Sequence, residues 1–526
     1  MRLLTAFTMA LAAVPAVPAR AQSFGTLAAR STKCLDVVDG SASNGAKVQI
    51  WDCARGNTNQ QWALSGTQLK TPKNKCLDVV DGRTQNGASV QLWDCVAGNK
   101  NQAWEIVGQA VRLKNTNLCL DVREGRFDNG GQVQLWTCDF RGTGNQVWVL
   151  GGDTSSSPGS NAGTNPSGYL QTSGTRIVDR NNKPLLLRGT NIGGWLVTEG
   201  WMNGYTDTSD KDPYRWSQET LERRFGAQTA ESLLNTWRDN FFTSDDLDNL
   251  KNIGVNAIRV PFGYRNLQRA DGSWIKNSAG NIDFGRLDWV VAEAGKRGIY
   301  TILDFHIWQG QKEDYSRISQ NSDQGRADQA KAADIWVQVA KHFKGNANVA
   351  GFDPLNEPTG SYANYMQDAM YKAIRSVDAD RIIFMESMNA DPSSLKWKQV
   401  VYSIHQYGMM GTDFGSNQVV FQKDIYGDVA SFRRFGIPTY VGEFMVQDSG
   451  PMLSWLLNQY NQNELHWTSW TYKTVDLGPW GLCNLSGQSR VNLLTDSEST
   501  IRDRWKNLGK CQPQPAVVDA FKKNLH

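Results

Sequence analysis

After its first two dozen residues the chain has no hydrophobic run long enough to cross a bilayer, which excludes an integral membrane span beyond that point. It has no block of like charge and a net charge of only +3, so nothing in it argues for nucleic acid or a charged membrane surface as a partner. It has no Cys-x-x-Cys pair, the spacing that zinc sites favour. Asp304 and His306 alone would make a metal pair, but no third ligand accompanies them. Gly-x-Ser-x-Gly, a phosphate loop and a dinucleotide fingerprint are absent too, which removes the common hydrolase-elbow, nucleotide and dinucleotide classes. No metal or cofactor is expected. No heptad pattern appears, so a monomer is expected.

What is present points elsewhere. The chain has 526 residues, enough for two or three domains, with 49 glycines and 20 tryptophans. Indole faces match the C–H face of a pyranose and bury a large apolar area, although tryptophan also fills cores. The opening "MRLLTAFTMALAAVPAVPARAQ" has an early Arg2, a short apolar stretch and a small-residue site at Ala19–Ala21. It reads as a secretory signal over residues 1–21. Eight cysteines, an even number, fit export and disulfides.

Three copies of one unit follow, with a period of 42 to 43 residues: "KCLDVVDGSASNGAKVQIWDCARGNTNQQW" from Lys33, "KCLDVVDGRTQNGASVQLWDCVAGNKNQAW" from Lys75 and "LCLDVREGRFDNGGQVQLWTCDFRGTGNQVW" from Leu118. In each, two cysteines stand nineteen apart: Cys34 and Cys53, Cys76 and Cys95, Cys119 and Cys138. One disulfide per repeat is the simplest reading. Asn-Gly and Asp-Gly pairs break each unit into short strands, and three such units closing on one another predict an all-β trefoil over residues 22–150. A carboxylate with two amides offers hydrogen bonds to vicinal hydroxyls, and an indole offers a stacking face. Cys-Leu-Asp, Gln-x-Trp and Asn-Gln-x-Trp together resemble the ricin-B type lectin repeat, carbohydrate-binding module family 13. The resemblance implies a shallow sugar pocket in each repeat: Asp36, Gln49, Trp51, Asn59 and Gln60; Asp78, Gln91, Trp93, Asn101 and Gln102; Asp121, Gln134, Trp136, Asn145 and Gln146. Trp62, Trp104 and Trp148 would be structural. Residues 151–167, rich in Gly, Ser, Thr, Asn and Pro, read as a flexible linker.

From residue 168 to 526 the pattern changes to eight apolar runs: "PLLLRGTN", "NAIRVPFGY", "IYTILDFH", "VAGFDPLNEP", "RIIFMES", "VVYSIHQYG", "PTYVGEF" and "HWTSWTYK". Helix-period stretches such as "SDDLDNLKNIG", "LDWVVAEAGKRG" and "AADIWVQVAKHF" fall between several of them. Continuous apolar strands with crossover helices indicate a parallel sheet, and eight units predict a (β/α)8 barrel. The runs end on Arg259, His306, Asn356-Glu357, His405 with Tyr407, Glu443 and Trp470. Strand ends in such a barrel face one pocket. Two carboxylates there suit glycosidic bond hydrolysis, one giving a proton to the leaving oxygen, the other attacking the anomeric carbon or activating water.

Asn-Glu-Pro, His-x-Tyr and Gly-Glu-Phe resemble glycoside hydrolase family 5. That resemblance implies a retaining mechanism with Glu357 as acid/base and Glu443 as nucleophile, and supporting roles for Arg259, His306, Asn356, His405, Tyr407 and Trp470. "LRGTNIGGWLVTEGWM" and "IRVPFGY" look most like the exo-β-1,3-glucanase branch, in which a first-loop glutamate, here Glu199, meets the terminal sugar. The loop "HIWQGQKEDYSRISQNSDQG" is longer and more charged than in that branch, and Thr-Glu-Gly replaces its usual first-loop motif. The expectation is a secreted, two-domain retaining β-glycosidase acting on β-glucan, with β-1,3 linkages first and an endo-acting β-1,6- or β-1,4-glucanase as the alternative. A non-catalytic carbohydrate-binding lectin is the alternative of another class. Its partners would be the polysaccharide substrate and the trefoil's glycan. Cys483 and Cys511 either pair or stay free.

Overall fold

The computed structural model describes residues 24–525 except 30–32, 55, 108–109, 139–144, 147, 151–167, 207–216, 309–320, 359–362, 387–393, 408–428, 430–434 and 447–449. The predicted signal segment, the linker and most of the charged third-run loop therefore lie outside the described residues. The chain separates into two compact units, one up to Asn161 and one from Ala162.

The first unit is the expected trefoil. Each repeat contributes a hairpin: Lys33–Val37 with Val48–Asp52, Lys75–Val79 with Val90–Asp94, and Leu118–Val122 with Gly131–Thr137. The strand Gly25–Ala29 pairs with Trp148–Leu150, so the two ends of the unit close on each other. Alternation sorts the faces: Leu35, Ile50, Leu77, Leu92, Leu120 and Leu135 share one core with Trp62, Trp104 and Trp148. Those three indoles are buried and donate Nε1–H to the Leu35, Leu77 and Leu120 carbonyls at 2.9, 2.9 and 2.8 Å, as the structural assignment required. The three repeat disulfides form, with Cα–Cα distances of 5.0 to 5.1 Å. Closing such a loop contributes about 3 kcal/mol.

The second unit is a closed barrel of eight parallel strands: β1 (Arg188–Asn191), β2 (Ala257–Gly263), β3 (Tyr300–Ile307), β4 (Val349–Asp353), β5 (Ile382–Glu386), β6 (Val400–Gln406), β7 (Thr439–Phe444) and β8 (His466–Ser469). All eight apolar runs become strands. The strands are buried almost throughout, as expected where helices cover the outside. Helices α1 (Ser244–Ile253), α2 (Gly285–Lys296) and α3 (Asp323–Phe343) occupy the three helix-period stretches and pack their apolar faces on the strands. A second cluster, including Ile177, Leu187, Ala257, Ile302 and Tyr440, fills the barrel at the strand starts. The opposite end of the strands is where buried polar side chains gather. Cys483 and Cys511 are joined.

Candidate active site

Arg259, on β2, is completely buried and spends all five of its N–H donors. Nε donates to Asp353 Oδ2 at 2.9 Å. Nη1 donates to Asn191 Oδ1 at 3.1 Å and to Glu443 Oε1 at 2.7 Å. Nη2 donates to Asn356 Oδ1 at 2.9 Å and to Glu386 Oε1 at 2.8 Å. Asp304 Oδ2 lies 3.1 Å from Nη1. A guanidinium has five donors in a rigid fork, and here they reach four different strand ends, those of β1, β4, β5 and β7. Of the residues given supporting roles, Arg259 has no exposed surface and no donor to spare, so the expectation is corrected: it orients Glu443 and Asn356 and does not bind substrate.

Glu443 ends β7. Besides Arg259 it accepts from the Tyr407 hydroxyl at 2.6 Å through Oε2. Its preceding residue must be glycine, because a Cβ at Gly442 would stand 2.9 Å from His405 Nε2 and 2.7 Å from Ser403 Oγ. That is the local meaning of "YVGEF". Glu357 lies beyond β4 with a left-handed φ of 44°, at a corner bracketed by Pro354 and Pro358. Its Oε1 accepts from His405 Nδ1 at 2.8 Å, and the same nitrogen is 3.6 Å from Glu443 Oε2. Oxygen atoms of Glu357 and Glu443 and a nitrogen of His405 all lie within 4.8 Å of one another.

The electrostatics differ between the groups. Burial pushes Glu357 up, but the hydrogen bond and charge of His405 overcome it and hold the carboxyl below its ordinary value. Burial pulls His405 down, yet Glu386, Glu443 and Glu357 around it raise it well above the ordinary imidazole range. Burial raises the Tyr407 phenol, and Glu443 raises it further, so Tyr407 stays a hydrogen-bond donor. Glu199 is raised, chiefly by burial, and feels His306, Glu443 and Glu357. It therefore belongs to the same mouth, where its Oε2 accepts from Trp201 Nε1 at 2.5 Å. His306 donates from Nδ1 to Asp304 at 2.8 Å, and its ring stacks on Trp470 at 5.3 Å and 12°. Asn356 accepts through Oδ1 from Arg259, so its amide NH2 is the end presented as a donor.

Every barrel residue named from sequence converges here. The reading missed Asn191, Asp353 and Glu386, and took Asp304 only for half of a metal pair. Glu386 ends "RIIFMES" as the others end their runs, so the signal was there.

In the trefoil, each hairpin brings the same set together. Gln49, Gln91 and Gln134 donate to Asp36, Asp78 and Asp121 at 3.0, 3.2 and 3.0 Å. Trp51, Trp93 and Trp136 are the exposed indoles, at 42, 40 and 45%. Asn59, Asn101 and Asn145 pack into the space a Cβ would take on Gly40, Gly82 and Gly125, all at positive φ. Gln60, Gln102 and Gln146 are corrected: they are buried and donate to the far oxygens of Asp36, Asp78 and Asp121 at 3.1, 3.0 and 3.1 Å. They brace the carboxylates from behind and offer no surface to a sugar. Burial raises Asp36 and Asp121 against the lowering effect of their glutamine bonds.

Residues 218–476 match the family Cellulase (glycosyl hydrolase family 5), and residues 23–148 match the ricin-type beta-trefoil lectin domain. The chain is similar to a beta-xylosidase of Phanerodontia chrysosporium, 27% identical over 362 residues, covering 60% of this chain and 73% of that one. It is similar to a probable glucan 1,3-beta-glucosidase A of Aspergillus niger, 27% identical, covering 44% of this chain and 57% of that one. A glucan 1,3-beta-glucosidase of Candida oleophila is 27% identical, covering 43% and 54%. The chain thus spans only a little over half the length of these two glucosidases.

Proposed function

From the premise that the chain carries a glycosyl hydrolase family 5 barrel and a ricin-type beta-trefoil lectin domain, we propose that it is an exported, retaining β-glycosidase that removes sugars from β-glucan, acting first on β-1,3 linkages. The observation that carries the chemistry is that an oxygen of Glu357 and an oxygen of Glu443 lie within 4.8 Å of each other, an approach that favours the closer, retaining arrangement. Retaining enzymes hold their carboxyl groups about 5–5.5 Å apart, whereas inverting ones leave about 6.5–9.5 Å for a water. Glu443, held by Arg259 and Tyr407, attacks the anomeric carbon. Glu357, which His405 holds below its ordinary value in the free site, must take up a proton as substrate binds; it gives that proton to the leaving oxygen and then takes one from the water that releases the sugar. The Asn356 amide meets the 2-hydroxyl, and the stacked His306–Trp470 pair supports the ring. Glu199, held by Trp201, meets the terminal sugar. Four disulfides suit an oxidising, extracellular setting, and the trefoil's exposed indoles keep the enzyme on polymer.

A second reading, a β-xylosidase, is favoured by the similarity to the Phanerodontia protein. Product analysis on laminarin, with 4-nitrophenyl β-xyloside in parallel and Glu443→Gln as control, separates the two. Glucose released from the start by the parent protein alone supports the exo-β-1,3 reading. Xylose release without glucose supports the second. Oligosaccharides from the start would replace exo with endo action.

A further inference from the structure

A two-carboxylate mechanism has no use for the carboxylate that ends β5. Glu386 is almost entirely buried and has no route to a sugar, yet it holds the acid/base at two points. Its Oε2 accepts from the backbone N–H of Glu357 at 2.5 Å, the residue whose φ of 44° places it in the left-handed region that non-glycine residues avoid. Its Oε1 accepts from Arg259 Nη2 at 2.8 Å and lies 2.9 Å from His405 Nε2. The other nitrogen of that ring donates to the Glu357 carboxylate at 2.8 Å. The backbone of Glu386 is itself anchored, its carbonyl accepting from the Gln367 side chain.

We propose that Glu386 is a positioning residue for the acid/base, fixing the backbone turn of Glu357 directly and its carboxyl through His405. The inference rests on the assignment of Glu357 as acid/base. Glu386 takes no part in the proton balance: the proton leaves Glu357 for the leaving oxygen, and one returns to Glu357 from the attacking water. What Glu386 supplies is acceptor capacity. Both of its oxygens accept, from the Glu357 N–H and from Arg259, and the His405 ring lies beside Oε1 as an ion-pair partner without a hydrogen bond. A carboxylate meets both donors and the ring's charge, whereas an amide of the same size loses the charge and turns an NH2 against one donor.

Glu386→Gln in the full chain tests this. General acid catalysis matters most for a poor leaving group, so kcat/KM for a disaccharide glycoside is expected to fall about 100-fold. For the 2,4-dinitrophenyl glycoside of the same sugar, whose leaving group needs no proton, the loss is expected to stay under about fivefold. Azide, which needs no base to attack the glycosyl-enzyme, is expected to raise kcat of the variant on that activated substrate and not that of the parent. Equal losses on both substrates with no azide effect overturn the proposal. Should Glu386→Gln not fold by circular dichroism, Glu386→Asp, which keeps the charge but withdraws it by one methylene, is read by the same two criteria. An unaltered protein that cleaves neither glycoside overturns the parent assignment instead, and this inference with it.

Discussion

The two units build their sites in opposite ways. In the trefoil, the carboxylate and the glutamine that braces it are 24 or 25 residues apart within one repeat, and the arrangement is made three times. In the barrel, Arg259 and Glu443 meet across 184 residues of chain, and the arrangement is made once. A locally encoded site tolerates the loss of a copy. A site assembled from eight strand ends around one guanidinium does not. The comparison teaches where substitutions should be silent and where they should be severe.

The largest effect is expected at Glu443, the proposed nucleophile. Glu443→Gln should lower kcat by at least about a thousandfold while retention on polysaccharide stays at the level of the parent, measured by depletion from solution. A matching loss of retention would show that the barrel, and not the trefoil, holds the polymer. Next comes Arg259→Met, which leaves Asp304, Asp353, Glu386 and Glu443 without their shared cation. Removing one partner of a buried charge set costs about 3–5 kcal/mol. In calorimetry the barrel transition should move down and the trefoil transition should not. A trefoil transition that moves as well would break the comparison by showing the two units to unfold together.

Much of this was legible in the sequence, for physical reasons. Parallel strands are buried on both faces, so the eight runs stood out as continuous apolar segments, and their polar ends marked one mouth. Gln-x-Trp in a hairpin puts both residues on one face, and the structure has Gln49 and Trp51 outward with Ile50 inward. What was not legible was which strand end faces which. Arg259 as the hub of Asn191, Asp353 and Glu386 depends on register across a closed barrel, which no local pattern reports. The Asn-Gln pair failed for a different reason. The two neighbours lie in a tight turn, Thr58–Gln60, that sends Gln60 inward and leaves Asn59 partly exposed, and composition is the same either way.

Acid loads the two units to different extents, because the buried low-pKa histidine is in the barrel. His466, at the start of β8, is buried and accepts at Nδ1 from the Leu187 N–H at 3.1 Å. Burial, then the Arg188 charge, lowers its pKa to about 3. The unfolded chain takes up that proton near 6.5, so the barrel loses stability as pH falls from about 6.5 toward 3, by a few kcal/mol for this group. His405 and His306 are raised, and their contribution is already complete below 6.5. Glu199 and Asp353, raised by burial, relieve part of the loss in acid, while Glu357 and Glu386, which are lowered, add to it. In the trefoil, Asp36 and Asp121 are raised by burial, so the folded form protonates first and acid relieves a cost. The exposed Lys33–Asp52 and Lys75–Asp94 pairs act the other way but are screened. Melts from pH 7 to pH 4 should show the barrel transition falling faster than the trefoil's, with a shallower fall in His466→Gln. Equal slopes for the two transitions would remove the contrast.

The smallest expected effect is the one most specific to the repeat architecture. Trp51→Ala removes one exposed indole of three. A sugar stacked on an indole gains about 0.5–1.5 kcal/mol beyond area burial, a factor of roughly 2 to 10 at that pocket. Because Trp93 and Trp136 stand in two further pockets with the same Asp–Gln pair behind them, retention on a polymer should fall only about twofold, with Trp93→Ala and Trp136→Ala alike. The triple variant should lose far more than the product of the single losses, because linked weak sites convert later binding events into intramolecular ones. Isothermal titration with a monosaccharide and depletion by polymer, run on the same four variants, read the two regimes separately. If one single variant abolishes retention while the other two are silent, the three pockets are copies in shape only, and the trefoil resembles the barrel in having one working site.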